Sequence, residues 1–80
     1  MKFLVVVERS RTGFAAYSPD LDGCVATGRT RKATEKAMRA ALELHLEALR
    51  EEGSTLPVSQ SYSTYVELPR NGRKKGRGRA

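Results

Sequence analysis

The sequence has one cysteine, one histidine, no apolar run longer than five residues and no acidic residue after Glu67. Each shortage excludes something. A lone Cys24 closes no internal disulfide, and Cys24 with His45 falls short of a zinc ligand set. A helix crossing a bilayer needs about 20 consecutive apolar residues. The run Phe3–Val7, ended by Glu8-Arg9, is also too short for the apolar stretch of a signal peptide. A cytoplasmic chain of a reducing compartment is expected, with no membrane segment and no cofactor. Catalysis lacks its parts too. Acid–base work by His45 would need a nucleophile or second titrating group within reach, but it lies at the edge of the Leu42/Leu49 side of its helix, and Cys24 has no adjacent histidine or cation, so the first reads as a packed or interfacial imidazole and the second as a core residue. Gly13, Gly23 and Gly28 follow neither the Walker spacing nor the dinucleotide fingerprint and read as turn or bulge residues. A binding protein, not an enzyme, is the consequence.

Eighty residues make one small domain with a modest core, for which oligomerisation is a reasonable prior. Phe3–Val7 is apolar at every position, as in a strand covered on both faces. Arg9–Gly13 is a polar connection into a second strand, Phe14–Tyr17, and Ser18-Pro19 breaks that strand because proline offers no ladder donor. Asp22-Gly23 tolerates left-handed backbone, and Cys24–Thr27 runs back as a third strand. Thr30 is a suitable N-cap for a helix over Arg31–Glu52 that stops at Gly53. On that helix Met38, Leu42, Leu46 and Leu49 share one side, and Ala33, Ala37, Ala41, Leu44 and Ala48 an adjoining one. The combined arc is wider than the roughly 100° stripe needed to cover one sheet, so part of it is expected to meet a partner. After a polar loop, Tyr62–Leu68 alternates as a fourth strand that would lie beside the first.

The expected fold is therefore α+β, in the order β-β-β-α-β: a three-stranded antiparallel meander, one long helix and a fourth strand. Residues 1–68 hold nine Lys/Arg and nine Asp/Glu, whereas residues 69–80 hold six cations and no acid. The last twelve residues thus read as a disordered basic tail. Its cations, Arg70, Arg73, Lys74, Lys75, Arg77 and Arg79, are candidate contacts to DNA or RNA. Six phosphate contacts give a log–log salt slope no steeper than about minus five, which describes weak, sequence-blind binding.

The run from Gly13 to Gly28, GFAAYSPDLDGCVATG, carries the most specific pattern. Its aromatic-x-A-x-x-P-D-L-x-G-C core, followed by Gly28, Thr30 and a helix, resembles the HicB-like antitoxin family over residues 1–68. The resemblance implies an antitoxin of a type II toxin–antitoxin system that binds and masks HicA, a small toxin that resembles a double-stranded-RNA-binding fold and cleaves mRNA. Many members add a C-terminal DNA-binding domain, for which twelve residues after the last expected strand leave no room. The element order also looks like a cut-down ribonuclease H fold, in which clustered acids hold metal ions. Asp20 and Asp22, however, stand where aspartate serves turns, and no metal site is read from them.

A basic toxin would need acidic contacts, which makes Asp20 and Asp22 candidate toxin-binding residues. Arg31 and Lys32 join them because cations in a helix's first turn oppose its dipole and so suit contact better than stability. The wide helix arc and the doubly apolar first strand together predict a homo-oligomer, a dimer or tetramer. The alternative function is a dimeric nucleic-acid-binding accessory protein acting through its basic tail.

Overall fold

The computed structural model describes residues 1–70. Three short strands, β1 (Val6–Arg9), β2 (Phe14–Tyr17) and β3 (Val25–Gly28), form an antiparallel sheet in that order. One helix, α1 (Arg31–Glu51), follows. The first hairpin closes on the pair Arg9↔Phe14, with the Ser10 amide donating to the Gly13 carbonyl at 2.8 Å. The register aligns Val7, Ala16 and Ala26 on one face and Val6, Tyr17 and Val25 on the other. The helix covers only the first face, against which Met38 and Thr34 are fully buried.

Helix limits follow from local chemistry. The Thr30 hydroxyl accepts from the Ala33 amide at 3.0 Å, satisfying one orphan donor of the first turn. At the other end the Gly53 amide donates to the Arg50 carbonyl and the Ser54 amide to the Leu49 carbonyl, at 3.0 and 2.9 Å. This paired closure requires a left-handed residue, and Gly53 supplies it at φ +74°.

The turn between β2 and β3 does more than reverse the chain. Leu21 and Cys24 enter the core with Ala16 and Met38, and Phe3, Val5, Val7, Ala26, Ala41, Leu42 and Leu46 pack around them. Two successive turns hold that shape, closed by the Leu21 amide on the Ser18 carbonyl and the Cys24 amide on the Leu21 carbonyl. The buried Ser18 hydroxyl donates to the Leu4 carbonyl at 2.8 Å, fixing the segment that leads into β1. Burial raises the Cys24 thiol pKa by desolvation, so this residue stays a neutral core group.

Four sequence expectations change. The first strand begins at Val6, not Phe3, because β2 ends opposite it at Tyr17 and Ser18 then binds Leu4 by its side chain instead of extending the ladder. The third strand runs one residue later at both ends, Val25–Gly28 in place of Cys24–Thr27, and the helix ends one residue earlier, at Glu51. The larger correction concerns Tyr62–Leu68: no fourth strand forms among the described residues, so the chain is β-β-β-α and lacks the extra strand of the ribonuclease H comparison. All seven of these residues are exposed. A strand needs a neighbour's ladder, and among the described residues no backbone hydrogen bond joins them to the body.

The passage from β3 into α1 leaves no room for a side chain at Gly28. A Cβ there would lie 2.6 Å from Thr34 Oγ1 and 2.8 Å from the Thr34 amide nitrogen, and Thr34 is held by its own 2.7 Å hydrogen bond to the Thr30 carbonyl. Gly28→Ala is therefore expected to destabilise the fold by about 1–3 kcal/mol, the usual cost of overpacking. Thermal or urea unfolding of the variant measures it; an unchanged midpoint would mean that strand and helix can separate freely here.

Candidate partner-binding site

The two ends of the sheet carry opposite charge. The β2–β3 turn holds Asp20 and Asp22, whereas the far end gathers Arg9, Arg11, Arg29, Arg31 and Lys32, all exposed. Asp22 precedes β3 and Arg31 follows it, so the four proposed toxin contacts form two groups separated by the length of β3. Four residues at about 3.3 Å each set that separation. At the cationic end the Arg9 guanidinium lies over the Phe14 ring, 5.6 Å from its centroid, and Ser10, Thr12, Phe14, Thr27, Gly28 and Arg29 line a shallow polar hollow.

Asp20 is already engaged. One carboxylate oxygen accepts from the Gln60 and Ser61 amides, both at 3.1 Å, and the other from the Ser61 hydroxyl at 2.9 Å. The Ser61 amide is the main cause of a pKa below the ordinary aspartate value; partial desolvation opposes it, and the Ser61 hydroxyl and Gln60 amide lower it further. The side chain thus bridges 41 positions of sequence and anchors the segment after the helix to the β2–β3 turn. Asp22 makes no such bond among the described residues and projects from the same turn.

Between the charged ends lies the uncovered face of the sheet. Val6, Tyr17 and Val25 stand side by side across the three strands, with Val25 64% and Tyr17 42% exposed. The helix offers a second apolar strip, since Ala33, Leu44 and Ala48 face solvent while Met38 and Leu42 pack inward. The sequence hinted at both through the doubly apolar first strand and the wide helix arc. It did not indicate that Tyr17 and Val25 share a face with Val6, because that depends on register.

Among the described residues no three His, Cys, Asp or Glu side chains approach closely enough to hold a metal ion. His45 is half-buried on α1. No described helix is long and apolar enough to cross a membrane. Of the tail cations, Arg70 is exposed, and Arg73, Lys74, Lys75, Arg77 and Arg79 lie outside the described residues.

Because the folded Asp20 carboxyl titrates below its unfolded value, its hydrogen bonds contribute stability above about pH 4 and lose it as pH falls through the folded pKa. The Gln60 and Ser61 amide resonances are expected to titrate together with the Asp20 carboxyl, below the midpoint of a free aspartate. Asp20→Asn should remove that titration and raise amide exchange at both positions, while the melting of the helix changes little. Amides that ignore Asp20 protonation would contradict the anchor.

Comparison with known proteins agrees with this geometry. A solved structure described as the HicA3 and HicB3 toxin–antitoxin complex contains a chain 32% identical to this one, with a TM-score of 0.59 and 72% of each chain covered. A search of curated proteins finds no match. The model of the HicB-like antitoxin of bacterial toxin–antitoxin systems matches residues 3–73, nearly the whole sequence, and the chain belongs to that family.

Proposed function

We propose that this protein is the antitoxin of a HicA/HicB-type pair and acts by covering a small HicA-like toxin rather than by catalysis. The match to the family over residues 3–73 carries this reading. The solved toxin–antitoxin complex supports the partner's identity. The fold supplies a suitable surface: the apolar row Val6, Tyr17 and Val25, with Asp22 at one end as an acidic contact for a basic toxin.

Asp20 contributes to toxin binding by shaping the turn from which Asp22 projects, and its carboxylate is spent on Gln60 and Ser61. Arg31 and Lys32 lie at the opposite end of the sheet and would contact a different part of the toxin, or an acidic group on it. Such a protein would work in the cytoplasm beside its target. The basic residues Arg70 to Arg79 would add weak, salt-sensitive contact to nucleic acid, which is an accessory to masking and not a substitute for it.

Co-expression with a HicA-like toxin is expected to restore growth and to yield a copurifying complex. Val25→Asp should abolish rescue and weaken binding by about tenfold or more, the size of effect that follows when a charge enters the centre of an apolar interface. Its melting temperature should stay close to that of the parent, because Val25 is exposed in the isolated fold. Asp22→Ala should weaken binding less and lose its effect at high salt. Full binding by a folded Val25→Asp variant would remove the sheet face from the interface.

A further inference from the structure

Among the described residues the outer edge of β1 has no strand neighbour, since the sheet order is β1-β2-β3. Beside that edge α1 leaves the sheet partly uncovered, because it packs on β3 and β2 and reaches β1 least. A groove of about 350 Å³ remains there, lined by Val5, Val7, Met38 and Leu42, with Glu35 and Arg39 also bordering it. An open strand edge next to an apolar groove is a place where one more strand can add.

The chain also carries a strand with no sheet. Tyr62, Thr64, Val66 and Leu68 alternate with Ser63, Tyr65 and Glu67, the period of an extended strand. Tyr62, Tyr65, Val66 and Leu68 are each at least 75% exposed, and no backbone hydrogen bond ties the segment to the body among the described residues. Its base is not loose: Asp20 holds Gln60 and Ser61, and Ser59, Ser61, Tyr62 and Ser63 run close to Lys2, Phe3 and Leu4, just before β1. An anchored base and a bare apolar strand describe an arm.

We infer that two copies of this chain exchange these arms, Tyr62–Leu68 of each adding as a fourth strand along β1 of the other, with Val66 and Leu68 entering the groove between β1 and α1. Seven residues of arm match the seven residues Phe3–Arg9 that span β1 and its lead-in. Reciprocity identifies the occupant. A foreign strand on the β1 edge would leave this chain's own arm bare, whereas a two-fold exchange pairs both arms with both β1 edges at once and, being closed by symmetry, ends at two copies. The strand pattern in the sequence is then satisfied in trans. The face with Val6, Tyr17 and Val25 stays free, so the dimer does not depend on toxin binding.

The test uses the full chain without toxin. Sedimentation at tens of micromolar should give a dimer, and hydrogen exchange should show protection over residues 62–68 that is lost on dilution. Val66→Pro removes a ladder donor and Val66→Lys removes the apolar group while keeping the ladder; each should weaken dimerisation at least about tenfold while the monomer keeps its helix content, as expected for changes confined to an exposed arm. A monomer with residues 62–68 protected would place the arm on its own β1 and overturn the exchange. A dimer unaffected by either variant would also overturn it. So would an arm that becomes protected only when toxin is added.

Discussion

The hydrogen-bonded turn from Ser18 to Cys24 is the constraint on which the rest of this molecule depends. Within seven residues it reverses the chain between β2 and β3, delivers Leu21 and Cys24 to the core, binds the lead-in to β1 through Ser18 and holds residues 60 and 61 through Asp20. Each task uses a different chemical feature of the turn: apolar side chains, a hydroxyl and a carboxylate. A buried hydroxyl without a partner would cost more than the bond contributes when made, which is why Ser18 acts as a strict requirement on the position of Leu4. One loop thereby joins parts of the chain that share no secondary structure.

The core it organises is small. Among the described residues Ala16, Leu21, Cys24 and Met38 are the buried apolar ones, with a ring of half-buried neighbours. Burying a side chain such as Met38 is worth about 1.5–3 kcal/mol, and few such terms are available to offset the entropy of ordering the chain. Meanwhile Val25, Leu44, Tyr62, Val66 and Leu68 remain largely in solvent. A protein that leaves so much of its apolar surface uncovered has surface available for association. That property suits an antitoxin, whose activity is association itself.

Placement of the helix explains where these surfaces lie. Gly28 brings the end of β3 into direct contact with Thr34, so α1 starts tight against the third strand and cannot centre itself over the sheet. Coverage consequently falls on β3 and β2, and the β1 side is left open. The uncovered sheet face, the groove beside β1 and the charge separation between the two ends of the sheet then offer three distinct surfaces on a body of about seventy residues.

Much of this was legible in order along the chain. The capping threonine, the left-handed glycine, the amphipathic helix and the P-D-L-x-G-C turn are local features, and local chemistry determined three strands, one helix and the family to within a residue or so at most boundaries. The first strand was misjudged because an apolar run shows burial and not pairing: Phe3 and Val5 pack against the core, half-buried, without joining a ladder. Tyr62–Leu68 shows the same limit from the other side, since alternation encodes a capacity for strand pairing while only a neighbouring edge can realise it. Asp20 was recognisable as a turn residue, but its bond to Ser61 crosses 41 positions and exists only once the helix has returned the chain to that turn. Sequence alone thus determined the helix, its caps and the β2–β3 turn, whose interactions reach three or four residues, and tertiary structure alone decided which side chains share a face, which apolar runs pair as strands and which strand edge was left without a neighbour.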